Sequence, residues 1–166
     1  LKHSFLLQDD IERECQFTLN ADQQEVAIEL PESLQGEILL RIEYSGLINN
    51  QYAGFYRSKY TQNGQEKYIA STQFEAKDAR RAFPCFDQPD KKATFDIEYE
   101  IDTSLTGISN TEIIEEKILS SGKKLVRFAP TPKMSTYLVF FGIGEFEFIE
   151  DASEEPLVRV ATTSGK

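Results

Sequence analysis

The sequence predicts an all-β fold, an antiparallel sandwich or strongly twisted multi-strand sheet with one short helical turn. Two observations carry this: apolar residues recur with period two, and turn signals interrupt them at short intervals. A strand that alternates apolar and polar residues buries one face and wets the other, which is the habit of antiparallel sheets.

Taken in order, Ile11, Cys15, Phe17 and Leu19 share one parity, and so do Val26, Ile28 and Leu30. Asn20-Ala21-Asp22, Pro31-Glu32-Ser33 and Ser45-Gly46 mark the turns around them. Asn63-Gly64 lies between Tyr56–Tyr60 and Lys67–Ala70 and predicts a hairpin, because both residues accept positive φ. The segment from Ala76 to Ala82 alone has helical character, and it is too short for more than two turns. From Phe95 to Asp102 apolar and acidic residues alternate strictly. Ser120-Ser121-Gly122 joins a strand from Ile113 to Leu119 to one from Lys124 to Phe128. Thr136 to Gly144 is apolar on both parities and reads as a central strand covered on both faces. Alternation resumes from Glu145 to Glu150. There is no internal repeat or Pro/Gly-rich linker, so one β-domain spanning 1–166 is expected.

Composition narrows the function. The net charge of −10 argues against nucleic acid and against an anionic membrane surface as partners, since both require a basic face. No stretch approaches the roughly 20 apolar residues of a membrane span. Cys15 and Cys85 have apolar neighbours and no CxxC spacing, which predicts two free, buried thiols and suits a reducing compartment. The one histidine, His3, stands alone, and HExxH, GxSxG and phosphate-loop motifs are absent. No catalytic residue and no metal ligand set is therefore expected in this chain.

One segment differs. Residues 71–89 follow a strand and crowd polar groups against aromatics, and Pro84 and Pro89 stiffen the backbone. Local sequence alone reads Asp78, Arg80, Arg81 and Asp87 as ion pairs that hold the loop's shape. It reads Glu75 as a surface carboxylate.

The same segment carries a resemblance. Gly54-Phe55-Tyr56-Arg57-Ser58-Lys59-Tyr60, Thr72-Gln73-Phe74-Glu75-Ala76 and Asp78-Ala79-Arg80-Arg81-Ala82-Phe83-Pro84-Cys85-Phe86-Asp87 resemble the aminopeptidase N family of zinc metallopeptidases, in particular its puromycin-sensitive and tricorn-interacting branches. Lys92–Ile97, Ile108-Ser109-Asn110 and Met134–Val139 are similar in the same order. The match is dense from Gly54 to Ile97 and from Pro132 to Phe148, and before Gly46 it is one of pattern only. Gln88, Thr111, Ala161 and Ser164 depart from the family's usual letters.

The resemblance implies the saddle-shaped amino-terminal β-domain of a larger cytoplasmic aminopeptidase. It implies a zinc-bearing catalytic domain following Lys166, and it implies that the family's first strands are missing here. It assigns Glu75 to the α-ammonium group of the peptide substrate and Gln73 to the pocket for the first side chain. It also implies a cis peptide at Glu75-Ala76. A fixed carboxylate suits that role, because an amino terminus is a compact cation with three donors. Zinc and the catalytic domain of the same polypeptide would be the parent's cofactor and partner. A non-catalytic scaffold that keeps the fold, and an epoxide-hydrolysing relative, are the alternatives.

Overall fold

The computed structural model describes residues 1–8, 11–31, 34–153 and 158–165. Glu32 and Ser33 of the turn expected after Pro31 lie outside these residues. Among the described residues every pair of strands is antiparallel and the helical residues are confined to two 3₁₀ turns, so the all-β expectation holds. Backbone contacts gather the chain into two compact units, Leu1–Leu47 and Ile48–Lys166.

The first unit holds β1 (His3–Gln8), β2 (Ile11–Glu14), β3 (Phe17–Asn20), β4 (Glu25–Ile28) and β5 (Leu39–Glu43). Its main sheet has the order β2-β1-β5, and β3 and β4 form a separate ribbon. Among its described residues the core is Ser4, Leu6 and Cys15. Ser4 and Cys15 lock together: the Cys15 N–H donates to the Ser4 carbonyl at 2.8 Å, and the Ser4 hydroxyl donates to the Cys15 carbonyl at 2.8 Å. The shared parity of Ile11, Cys15 and Leu19 predicts one buried face, yet Ile11 and Leu19 are 54% and 57% exposed. A unit of this size has too little interior to cover every apolar position.

The second unit holds β6 (Gly54–Gln62), β7 (Gln65–Gln73), β8 (Glu98–Asp102), β9 (Thr106–Ile108), β10 (Ile113–Ile118), β11 (Lys123–Phe128), β12 (Gly142–Gly144), β13 (Phe146–Asp151) and β14 (Val158–Thr163). One sheet runs β6-β7-β12-β9, a second runs β10-β11-β8, and β13 pairs with β14 in a ribbon. The predicted hairpin is β6–β7. Asn63 and Gly64 both take positive φ, 51° and 76°, and the ladder pairs every residue from Gln62↔Gln65 to Gly54↔Gln73.

The core lies between the two sheets of this unit. Ile97, Tyr99, Ile101, Val126 and Phe128 enter it from the β8/β11 side, while Glu98, Glu100 and Asp102 stay wet, as the alternation predicts. Phe74, Ala79 and Val139 meet them, with Phe83, Phe141 and Ile143 packed alongside. The aromatics favour edge-to-face geometry: Tyr99–Phe128 centroids are 4.9 Å apart at 62°, and Tyr99–Phe141 6.0 Å at 86°.

Two elements depart from the sequence expectation. Thr136 to Gly144 is not one central strand: Thr136–Leu138 is a 3₁₀ turn, and only Gly142–Gly144 pairs as β12. Side chains take the backbone groups that a ladder would use. Asn110 Oδ1 accepts the Phe140 N–H at 2.7 Å, Asn110 Nδ2 donates to the Leu138 carbonyl at 2.8 Å, and the Thr72 hydroxyl accepts the Phe141 N–H at 3.0 Å. The helical stretch from Ala76 to Ala82 shrinks to a single 3₁₀ turn at Ala79–Arg81.

Candidate functional site

The segment singled out by the sequence begins where β7 leaves its sheet. Gln73 is the last residue of β7, opposite Gly54, and it is exposed. Phe74 turns inward and is 2% exposed, stacking edge-to-face on Phe83 and Phe141 at 5.8 and 6.0 Å. Glu75, Ala76 and Lys77 are exposed again. The Glu75-Ala76 peptide is cis, as the resemblance implies. The Asp78 N–H then donates to the Phe74 carbonyl at 2.8 Å and closes the turn. Gln73 and Glu75 are thus brought to the surface on either side of one deeply anchored aromatic.

The ion pairs predicted for this loop form in two separate pairs. Asp87 is buried and accepts from the Arg80 backbone N–H at 3.1 Å and from Arg80 Nε at 2.9 Å. Arg81 Nη1 reaches Asp78 Oδ1 at 3.4 Å, and Arg81 Nη2 donates to Gln51 Oε1. Arg81 is more than an ion-pair member, which the sequence reading missed. Gln51 lies 30 positions upstream of it, and no local pattern connects them.

Cys85 is half-buried rather than fully buried, and both cysteines are free. Burial pushes the Cys85 thiol up to about 11, helped by the Asp87 carboxylate and opposed by Arg80. A free cysteine near 8.5 carries roughly two orders of magnitude more thiolate at pH 8. Alkylation of Cys85 in the folded protein is therefore expected to be slow at pH 8 and to rise across pH 9 to 11. In urea it should be fast at pH 8, and peptide mass spectrometry after iodoacetamide pulses reads the two rates. Because folding holds this group protonated, its contribution to stability is intact below about pH 9 and is lost as pH climbs towards 11.

Among the described residues no group of three or more His, Cys, Asp or Glu could hold a metal ion. The resemblance itself puts the zinc outside this chain, in the catalytic domain. What the turn offers is an exposed carboxylate on a braced support, suited to accept hydrogen bonds from a cation. The open depression between Arg57, Tyr68, Leu105 and Ile143 is bordered by neither Gln73 nor Glu75.

Comparison with known proteins places the chain. The peptidase M1 N-terminal domain family matches residues 6–138. A puromycin-sensitive aminopeptidase of Caenorhabditis elegans is 46% identical over 145 residues, which cover 85% of this chain and 15% of that protein. The alanine/arginine aminopeptidase of Saccharomyces cerevisiae is 45% identical over 152 residues, 88% of this chain and 18% of the relative. Aminopeptidase 2, mitochondrial, from the same yeast is 47% identical over 135 residues, 80% and 14%. The chain spans less than a fifth of the length of these relatives. With four-fifths of its residues matched and nearly half identical in the aligned part, the chain belongs to the peptidase M1 N-terminal domain family.

Proposed function

We propose that this chain is the amino-terminal substrate-binding domain of a zinc-dependent aminopeptidase, with Glu75 holding the substrate's α-ammonium group and Gln73 lining the pocket for its first side chain. The observation that carries the reading is the Gln73-Phe74-Glu75 arrangement. A buried aromatic fixes the backbone, and its two polar neighbours face solvent on a turn closed by the Asp78-to-Phe74 hydrogen bond. The names of the relatives support it, since each is called an aminopeptidase. Anchoring the free amine confines cleavage to the first peptide bond. The remaining chemistry, zinc included, belongs to the rest of the polypeptide in this reading.

That remainder is the proposed partner, together with the peptide terminus. Ile149, Val158 and Val160 are 69%, 60% and 53% exposed on the β13–β14 ribbon. An apolar two-stranded ribbon suits a surface that another part of the polypeptide covers. Nucleic acid and membrane are not partners in this reading. The negative charge opposes both nucleic acid and an anionic membrane surface. Two free thiols suit the cytoplasm.

The test uses the complete protein and two peptides that differ only in acetylation of the amino terminus. The free peptide should lose its first residue and the acetylated one should not be cleaved. Chelation should abolish the release and added zinc should restore it. Equal cleavage of both peptides would remove the amine-anchor reading, and no cleavage of either would favour a scaffold that has kept the fold.

A further inference from the structure

We propose that Arg81 is the positioning residue for Glu75, tying the turn that carries the carboxylate to the loop that precedes β6. This rests on the reading of Glu75 as the amine anchor. The turn from Phe74 to Asp78 has two ends. Phe74 fixes the first in the core, and the second depends on what holds Asp78.

Arg81 holds it from two directions. Its backbone N–H donates to the Asp78 carbonyl at 3.1 Å, and its Nη1 reaches Asp78 Oδ1 at 3.4 Å. The other guanidinium nitrogen, Nη2, donates to Gln51 Oε1. Gln51 is itself pinned, because its N–H donates to Asn49 Oδ1 at 2.6 Å. Asn49 Nδ2 in turn donates to the carbonyls of Ala53 and Phe55 at 2.8 and 3.0 Å. The guanidinium thus bridges a braced loop and the far end of the Glu75 turn.

The stem of Arg81 lies against Gly54, the residue opposite Gln73. A Cβ at Gly54 would fall 2.9 Å from Arg81 Cβ and 3.6 Å from its Cδ. That close approach explains why glycine stands there at positive φ, and it places Arg81 at the end of the ladder from which Gln73 and Glu75 emerge. A half-exposed pair at 3.4 Å adds little to folding. The cost of losing Arg81 should therefore fall on the placement of Glu75, where a shift on the order of 1 Å costs about 100-fold in rate.

The experiment is a double-mutant cycle in the complete enzyme, using Arg81→Met and Glu75→Ala and a free-amine peptide substrate. Arg81→Met alone should lower kcat/KM by roughly 10- to 100-fold with the melting temperature nearly unchanged. In the Glu75→Ala background it should cost less than about twofold, since a residue acting through Glu75 has nothing left to position. Arg81→Lys should stay impaired, because a single ammonium cannot span Gln51 and Asp78 as the planar fork does. Should Arg81→Met not fold, Gln51→Ala removes the same bridge and should show the same loss and the same coupling. A loss of equal size in both backgrounds, or none in the native one, overturns the role of Arg81. An unchanged kcat/KM in Glu75→Ala alone would instead overturn the anchor reading beneath it.

Discussion

Glu75→Ala in the complete enzyme is expected to lower kcat/KM for free-amine peptides by about 2–4 kcal/mol of transition-state stabilisation, roughly 30- to 700-fold. The size follows from deleting a charge-assisted hydrogen bond to a cation and leaving the ammonium unpaired. It also decides between two pictures of the site. Glu75 is exposed in this chain, and an exposed ion pair in water is worth at most about 1 kcal/mol. A loss at the upper end therefore requires that the rest of the enzyme close over the carboxylate and exclude water from it. A loss of only about threefold would mean that Glu75 attracts the amine from solvent without holding it. Steady-state kinetics with a free-amine and an amine-blocked peptide separates the cases, because only the former should respond.

Phe74→Ala is expected to carry the largest stability effect, about 3–5 kcal/mol, read as a lower denaturant midpoint at unchanged slope. Phe74 is 2% exposed, is among the largest fully buried side chains described, and stacks on two other phenylalanines. Its removal deletes both edge-to-face contacts and leaves a cavity that Phe141 can fill only by giving up its edge-on contacts to Phe55 and Tyr99. Domains of this size are stable by about 5–15 kcal/mol, so the change takes a large part of the margin. Phe74→Leu, closer in volume, should cost less than about 2 kcal/mol. Because Phe74 is the residue between Gln73 and Glu75, a cavity there should also loosen the site. A loss of kcat/KM well below the unfolding midpoint would show it.

The sequence was most informative where a local pattern has one physical meaning. Asn63-Gly64 specified the β6–β7 hairpin, because two adjacent positive φ angles at a tight turn leave little choice. The alternation from Phe95 to Asp102 named Ile97, Tyr99 and Ile101 as core. It set the strand too early, since the strand itself is Glu98–Asp102. Before that, Phe95 is held by Thr131, whose hydroxyl accepts its N–H and whose own N–H donates to its carbonyl.

Where bonding is long-range, pattern misled. Thr136 to Gly144 has the composition of a buried strand, and much of it is buried, but Asn110 and Thr72 satisfy its backbone. A run apolar on both parities records burial and not conformation. The site divides in the same way. Glu75 and Gln73 as substrate contacts rest on the resemblance alone, whereas the cis peptide it implies between Glu75 and Ala76 is present. The bridge from Arg81 to Gln51 had no sequence signature, because it joins two loops 30 residues apart. The boundary between Leu47 and Ile48 coincides with the stretch where the resemblance thins to pattern.

The central claim, that Glu75 holds the substrate's amine, is tested most directly by a crystal structure of the complete enzyme with an amino-acid hydroxamate bound. The account predicts a Glu75 carboxylate oxygen about 2.7–3.0 Å from the ligand's ammonium nitrogen, with Gln73 beside the ligand's side chain. An ammonium held by other groups, with Glu75 turned to solvent, would contradict it.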